Sequence, residues 1–207
     1  MIPRYQKVLF GILLVASLVM SGVLWHLRQR AHERLLAGQD SAPTKAPVVA
    51  PAEQSTLLVA NDADGSLLVQ ARSLPLPADP GARARVLLGK LLDLYAAPDA
   101  AHPVSGGASG IAQVFLMPAP GPRSARNSGA ELAIVNLTGD FAASHPSGLE
   151  TETLTVLSIC GTLRANLPHV TQVRFLVDGQ QRPNLAGHAD LTRTYLTADA
   201  VPTGGAQ

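Results

Sequence analysis

Residues 139–156 read GDFAASHPSGLETETLTV, and how this stretch folds decides how the whole chain is read. Asp140, Ser144, His145, Glu150 and Glu152 crowd together, and the single cysteine, Cys160, lies just beyond. That grouping suggests a hydrolase site. The competing reading is a strand handing over to a helix. Thr138 and Gly139 end an apolar strand pattern, and Pro146 forbids a helix running through, because proline lacks the amide and clashes with the preceding turn. Ser147 followed three positions later by Glu150 spells a capping box, so a helix is predicted from about Gly148. Val156, Leu157, Cys160, Leu163 and Leu167 then share one face, where Cys160 behaves as a small hydrophobe.

Outward from this junction the chain alternates strand and helix signals. On the N-terminal side, IAQVFLMP (residues 111–118) and ELAIVNL (residues 131–137) are β-rich runs joined by a loop punctuated with proline and glycine. Asn136 opens a glycosylation sequon by letter, but at a strand end it is read as incidental. Further upstream, TLLVA (residues 56–60) and SLLVQAR (residues 66–72) flank NDADG, whose Gly65 suits a hairpin turn. Asp62 and Asp64 do not make a calcium loop, since the motif would need an acid where Ala60 stands and a glutamate where Ala71 stands. Asp79 and Pro80 start an amphipathic helix carrying Ala84, Leu87, Leu88, Leu91, Leu92 and Tyr95, expected to end near Pro98. SGGASG (residues 105–110) has no Lys-Ser or Lys-Thr and is read as a connector rather than a phosphate loop. On the C-terminal side, TQVRFLVDGQ (residues 171–180) alternates Val173, Phe175 and Val177 before Asp178-Gly179, a type I′ hairpin signal.

The chain has 207 residues, room for one ordinary domain plus extras. Residues 55–197 hold ten basic and eleven acidic side chains. Such a balance gives no footprint for a phosphate backbone, so nucleic acid is not an expected partner. One cysteine allows neither an internal disulfide nor a Cys-rich zinc site.

The N-terminus differs from all of this. Val8 to Trp25, VLFGILLVASLVMSGVLW, contains no charge over 18 residues. As a helix it would span roughly 27 Å, close to a bilayer core. An uncleaved anchor is expected over a cleaved signal peptide, because the core is long and lacks a clean cleavage site. No cysteine follows it to take a lipid. Arg28, Arg30 and Arg34 beyond the span against Arg4 and Lys7 before it weakly favour a cytoplasmic C-terminal side. The expected organisation is a stub and anchor over residues 1–30, with the helix at about 8–25, a Pro/Ala-rich linker at 31–54, a folded domain at 55–197 and a disordered tail at 198–207.

AIVNLTGDFAASHPSG (residues 133–148), VRFLVDGQ (residues 173–180) and QRPNLAGHADLTRTY (residues 181–195) together closely resemble the sporulation and spore-germination family called GerMN. The resemblance runs over about residues 55–197, in the same order of elements. It implies an α+β fold, a small mixed sheet of β-hairpins with two packed helices behind one N-terminal transmembrane helix. It also implies an extracytoplasmic domain on a single-pass anchor in a bacterial envelope, which outweighs the flanking-charge count. The family is linked to sporulation and germination, and its fold is similar to ring-building modules of secretion systems. The name-giving protein resembles two such modules in tandem, whereas this chain has room for one.

Three functions are expected to compete. The first is an interaction module whose partners are envelope proteins, itself or peptidoglycan, with no catalytic residue, cofactor or metal assigned. The second is a cell-envelope hydrolase using Ser144 or Cys160, with His145, His169 or His188 as base and Asp140 or Asp190 as orienting acid. Its nucleophile, base and acid must meet in space, and adjacent Ser144 and His145 would point apart in extended chain. No G-x-S-x-G elbow surrounds any serine. The third is a metal or small-ligand site at His188 and Asp190 in GHAD, where two ligands without a third are weak. The interaction module is preferred.

Overall fold

The computed structural model describes residues 6, 11, 13–26, 51–120 and 129–200. The chain divides into two units, Met1–Val48 and Val49–Gln207. In the first, residues 13–26 are helical and their side chains are exposed. No helix among the described residues is long and apolar enough to cross a membrane. The expected membrane helix is therefore not shown. Residues 8–10 and 12 of that span lie outside the described residues, as do 1–5, residues 27–50 with most of the linker, and 201–207 of the expected tail.

The second unit is α+β with two small sheets. Strands β1 (Ala52–Asn61) and β2 (Ser66–Pro75) pair antiparallel without irregularity, from Ala52 opposite Pro75 to Asn61 opposite Ser66. The first strand starts inside the stretch expected as linker. At the turn Gly65 takes φ +65°, which glycine adopts without strain. Asn61 Oδ1 accepts from the Ala63 amide, and Asp64 Oδ1 accepts from the Ser66 amide and hydroxyl. These Asx-type bonds explain the polar loop as turn chemistry.

Helix α1 (Pro80–Tyr95) begins as its sequence predicts, with Asp79 Oδ2 accepting from the Ala82 amide at 2.7 Å. All six residues of the expected stripe are buried. Each fully buried leucine contributes about 1.5–3 kcal/mol, so this face alone outweighs the helix's modest propensity. The helix stops at Tyr95, short of Pro98, and the SGGASG connector holds a short 3-10 turn, Gly107–Gly110.

The second sheet runs β3 (Ile111–Pro118), β4 (Glu131–Leu137), β5 (Val170–Val177), β6 (Tyr195–Leu196) in space. Strands β3 and β4 are antiparallel, β4 and β5 parallel, and β5 and β6 antiparallel. A parallel pair cannot be closed by a tight turn and needs a crossover. Two helices supply it, α2 (Gly139–Ser144) and α3 (Leu149–Asn166). The expectation of one mixed sheet of hairpins with two packed helices is corrected on three points. The hairpin forms its own sheet, the domain has three α-helices among the described residues, and the Asp178-Gly179 turn closes a single antiparallel bridge rather than a pair of strands. Asp178 and Gly179 both take positive φ, 49° and 74°, as a type I′ turn requires. Only a single bridge, Val177 to Gln180, follows, and the next strand on β5 comes later, at Tyr195.

The expected capping box does not form. The N-cap of α3 is Gly148, with no side-chain cap, and its amide donates instead to Glu152 Oε1 at 3.3 Å. Helix α3 is also buried on more than one face, including Leu154, Val156, Ile159, Cys160 and Leu163 together with Glu152, Thr155, Ser158 and Thr162. It is the central pillar of the domain, and its polar side chains serve backbone groups around it.

Strand β1 shows this directly. Its outer edge, which no strand among the described residues pairs, is closed by side chains: the Thr56 amide donates to Asn166 Oδ1 at 3.0 Å, the Leu58 amide to Thr162 Oγ1 at 2.9 Å and the Ala60 amide to the Tyr95 hydroxyl at 3.0 Å. Asn166 Nδ2 returns a bond to the Thr56 carbonyl. Alternate residues of one strand edge are thereby satisfied, which removes a template for unwanted pairing. Ordered structure continues past residue 197 into the stretch expected as tail, through the 3-10 turn Thr197–Asp199 to buried Ala200.

Candidate functional site

The segments that carry the sequence resemblance converge on two neighbouring features, the carboxyl ends of β4 and β5 and the first turns of α3. At the strand ends, the Gly139 amide donates to Asp178 Oδ1 at 2.8 Å, the Asp178 amide to the Leu137 carbonyl, and the Gly179 amide to Asn136 Oδ1. The carboxyl side of parallel strands is where open α/β sheets place their crevices. A Cβ on Gly139 would meet the Asp178 carboxylate, which would have to shift and strain its bond to the Gly139 amide. Asn136 is thus a turn clamp.

DFAASH acquires a structural role here. Thr138 Oγ1 accepts from the Phe141 amide and starts α2. Phe141 and Ala142 are buried, and Ser144 Oγ donates to the Asp140 carbonyl at 2.8 Å. His145 leaves the helix and turns inward. Its Nδ1 lies 2.8 Å from the Pro146 carbonyl and its Nε2 2.8 Å from Thr155 Oγ1. Burial lowers its pKa; the Pro146 carbonyl bond opposes this, and the neighbouring His102 ring lowers it further.

Thr155 also receives a second histidine. His102 Nε2 lies 2.7 Å from Thr155 Oγ1, and His102 Nδ1 lies 2.5 Å from Asp62 Oδ1 on the hairpin turn. The His102 ring is fully buried and meets Tyr95 edge-on, with centroids 4.6 Å apart. A polar chain therefore runs Asp62, His102, Thr155, His145, Pro146 through the core.

One turn earlier on α3, the fully buried Glu152 carboxylate organises the 183–191 loop. Its Oε2 accepts from the amides of Ala186, His188 and Ala189 at 3.0, 2.9 and 2.8 Å. Its Oε1 accepts from Gly148 and lies 3.0 Å from His188 Nδ1. Burial alone would raise the Glu152 pKa, but these backbone and ring bonds together outweigh it and pull it down to about 2. The loop closes on itself through Leu185 to Ala189 and Leu191 to Pro183 bonds, while Leu185 and Leu191 enter the core.

The residues considered for catalysis are dispersed by this arrangement. Cys160 is fully buried in apolar surroundings, and burial pushes its thiol far above the ordinary range. His169 is exposed beyond the end of α3. His188 serves Glu152, and Asp190 accepts from the amide and hydroxyl of Thr192, which lower its pKa. Among the described residues, no hydrogen bond joins Ser144 or Cys160 to a histidine, and no three His, Cys, Asp or Glu side chains are placed to hold a metal. Two shallow grooves lie elsewhere. One, of 310 Å³, is lined by Val86, Gly89, Lys90, Asp93 and Ala108; the other, of 470 Å³, by Leu58, Val69, Gly161 and Arg164.

Sequence reasoning missed both the network of Asp62, His102, Thr155 and His145 and the separate anchoring of the 183–191 loop by Glu152. The one available signal was Glu152 and Thr155 standing one helical turn apart in the N-terminal half of a helix that otherwise reads as core.

Comparison with curated proteins gave no match. Among solved structures, the chain is similar to the tandem GerMN domains of the sporulation protein GerM from Bacillus subtilis, at 15% identity and a TM-score of 0.43. That match covers 72% of this chain and 47% of the other, so this chain spans about half the length of the tandem protein. It is similar also to the first GerMN domain of the same protein, at 16% identity and a TM-score of 0.35, covering 67% of this chain and 92% of that one. The family model described as Germane, sporulation and spore germination, matches residues 57–183, more than half of the chain. The match spans the hairpin, both helical segments of the crossover and the strand ends, and the chain belongs to the Germane family of sporulation and spore germination.

Proposed function

We propose that this chain is an envelope-anchored, extracytoplasmic Germane module that acts by binding rather than by catalysis, its partners being envelope proteins, a second copy or peptidoglycan. The observation that carries this reading is the structural employment of His145, His188 and Cys160. Both ring nitrogens of His145 are bonded within the core, and Cys160 is sealed. A general base needs a free ring nitrogen within reach of its nucleophile. Every buried side-chain nitrogen and oxygen among the described residues has a partner, which is the pattern of a scaffold.

The anchor rests on the uncharged run Val8 to Trp25, supported by a helix over residues 13–26 whose apolar side chains are exposed. A proline- and alanine-rich segment would hold the domain away from the bilayer. Single-pass topology with the C-terminal domain outside the cell membrane follows from the family resemblance.

Two experiments test the proposal. Photo-crosslinkers at exposed Phe115, Met117 and Leu196, introduced in the native cell, are expected to capture an envelope protein, a second copy or a glycan. Recovery of none of these would sink the binding reading. A C-terminal alkaline phosphatase fusion, active only outside the cytoplasm, is expected to be active; inactivity of a stably produced fusion would place the domain inside.

A further inference from the structure

The chain from Asp62 to Pro146 contains four consecutive hydrogen bonds, at 2.5, 2.7, 2.8 and 2.8 Å. Both ends are acceptors, a carboxylate and a carbonyl. Four bonds between acceptor ends need four protons. Two neutral imidazoles and one threonine hydroxyl supply three. The alternative bond from Thr155 Oγ1 to the Thr151 carbonyl, at 3.1 Å, draws on that same hydroxyl proton and only deepens the shortage. The closed network therefore holds one further proton, shared between the Asp62 carboxylate and the His102 ring.

The surroundings restrict which groups exchange it. From α1, Tyr95 faces His102, and burial pushes its hydroxyl up to about 12 against hydrogen bonds from Ser158 and the Ala60 amide. From α3, Glu152 stays ionised, its pKa pulled to about 2 despite burial, and its own partner His188 lies outside the chain of four bonds. The ring of His145, from the segment after α2, lies 6.4 Å from that of His102, and burial keeps it neutral. The four bonds from Asp62 to Pro146 therefore share their protons among Asp62, His102, Thr155 and His145 alone.

We propose that Asp62, His102, Thr155 and His145 form a protonation-dependent clasp, which ties the β1–β2 turn and the loop around residue 102 to the start of α3 while it holds its fourth proton, and slackens when that proton leaves at rising pH. The sign follows from counting: the closed fold binds one proton more than the same groups do unfolded above the ordinary histidine range, so raising pH weakens it. Acid acts on the other ring. His145 is neutral in the fold, and protonating it removes the acceptor that Thr155 uses.

The test uses the full chain with 15N-labelled histidine, followed by long-range proton–nitrogen spectra from pH 5 to 10. At the low-pH end of stability the His102 ring is expected to carry protons on both nitrogens or to face a protonated Asp62, with His145 protonated at Nδ1 alone. As the fourth proton leaves, the protection factor of the Asp62 amide, which donates to the Ala101 carbonyl at 3.0 Å, is expected to fall about tenfold with the same midpoint. Thr155→Val is expected to abolish the shared midpoint, and Thr155→Ser, which keeps the hydroxyl and guards against a folding defect, to preserve it. Two neutral rings and an ionised Asp62 in the folded protein throughout, or an Asp62 amide unchanged as His102 titrates, would overturn the clasp.

Discussion

Near its C-terminus α3 offers Thr162 and Asn166 to the open edge of β1, whereas near its N-terminus it offers Glu152 to the amides of the 183–191 loop. Both ends satisfy backbone donors with buried side chains. At the C-terminal end the partners are neutral, each amide meets its own side-chain oxygen, and the contribution is indifferent to pH. At the N-terminal end one carboxylate oxygen collects three amides, and bonds to an ionised acceptor are roughly twice as strong as neutral ones. The stronger arrangement is conditional, because it lasts only while the carboxylate is ionised. One helix thus carries a pH-independent staple at one end and a proton-sensitive one at the other.

Glu152→Ala is the largest expected break in this comparison. It would leave the Ala186, His188 and Ala189 amides without their acceptor, at about 1–3 kcal/mol for each that stays dry. Equilibrium denaturation of the full chain is expected to show a loss of several kcal/mol with early exposure of the loop; a loss below about 1 kcal/mol would mean that water replaces the carboxylate. The pH arm has a definite sign. Glu152 has a folded pKa of about 2 against an ordinary 4.5, so its contribution is complete above 4.5 and is lost as pH falls from there towards 2. Glu152→Gln should flatten that limb of the stability profile.

Next in size come Thr162→Val and Asn166→Leu at the neutral end. Each strands a backbone donor of β1, Leu58 or Thr56, and each is expected to cost about 1–3 kcal/mol. The costs should be equal at pH 4 and pH 7, measured by urea unfolding. A cost that shrinks with acid at this end, or stays constant for Glu152, would erase the distinction between the two ends.

The sequence exposed one class of information well. Periodicity located α1 by Ala84, Leu87, Leu88, Leu91, Leu92 and Tyr95, and alternation located β5 by Val173, Phe175 and Val177, because both patterns record one-sided burial. Helix α2 escaped because six residues are under two turns and give no period to detect. The parallel pairing of β4 and β5 escaped because Asp178-Gly179 carries correct local turn chemistry, with positive φ at both residues, whatever strand comes next. The polar network escaped for a different reason. Asp62, His102, His145 and Thr155 come from four separate segments, and only the packed core brings them within hydrogen-bond reach. Adjacent Ser144 and His145 suggested chemistry, yet the serine bonds its own helix while the histidine turns inward.

The smallest expected effect sharpens the point about local signals. Ser147 and Glu150 have the spacing of a capping box, in which the glutamate would reach back to the N-cap amide. The N-cap is instead Gly148, its amide is taken by Glu152, and Ser147 Oγ lies 3.4 Å from His188 Nδ1. Glu150 is exposed, with its carboxylate beside Gly65 of the hairpin turn. Removing its charge therefore forfeits only the favourable placement of an anion in the first helical turn, about 0.3–1 kcal/mol at low salt. Glu150→Gln is expected to lower stability by no more than this and to lose the effect in 1 M salt, whereas a working capping box would respond more strongly to Glu150→Ala and keep that response in salt. Two glutamates two positions apart in sequence are thus separated by an order of magnitude in consequence, because one meets water and the other meets four amides.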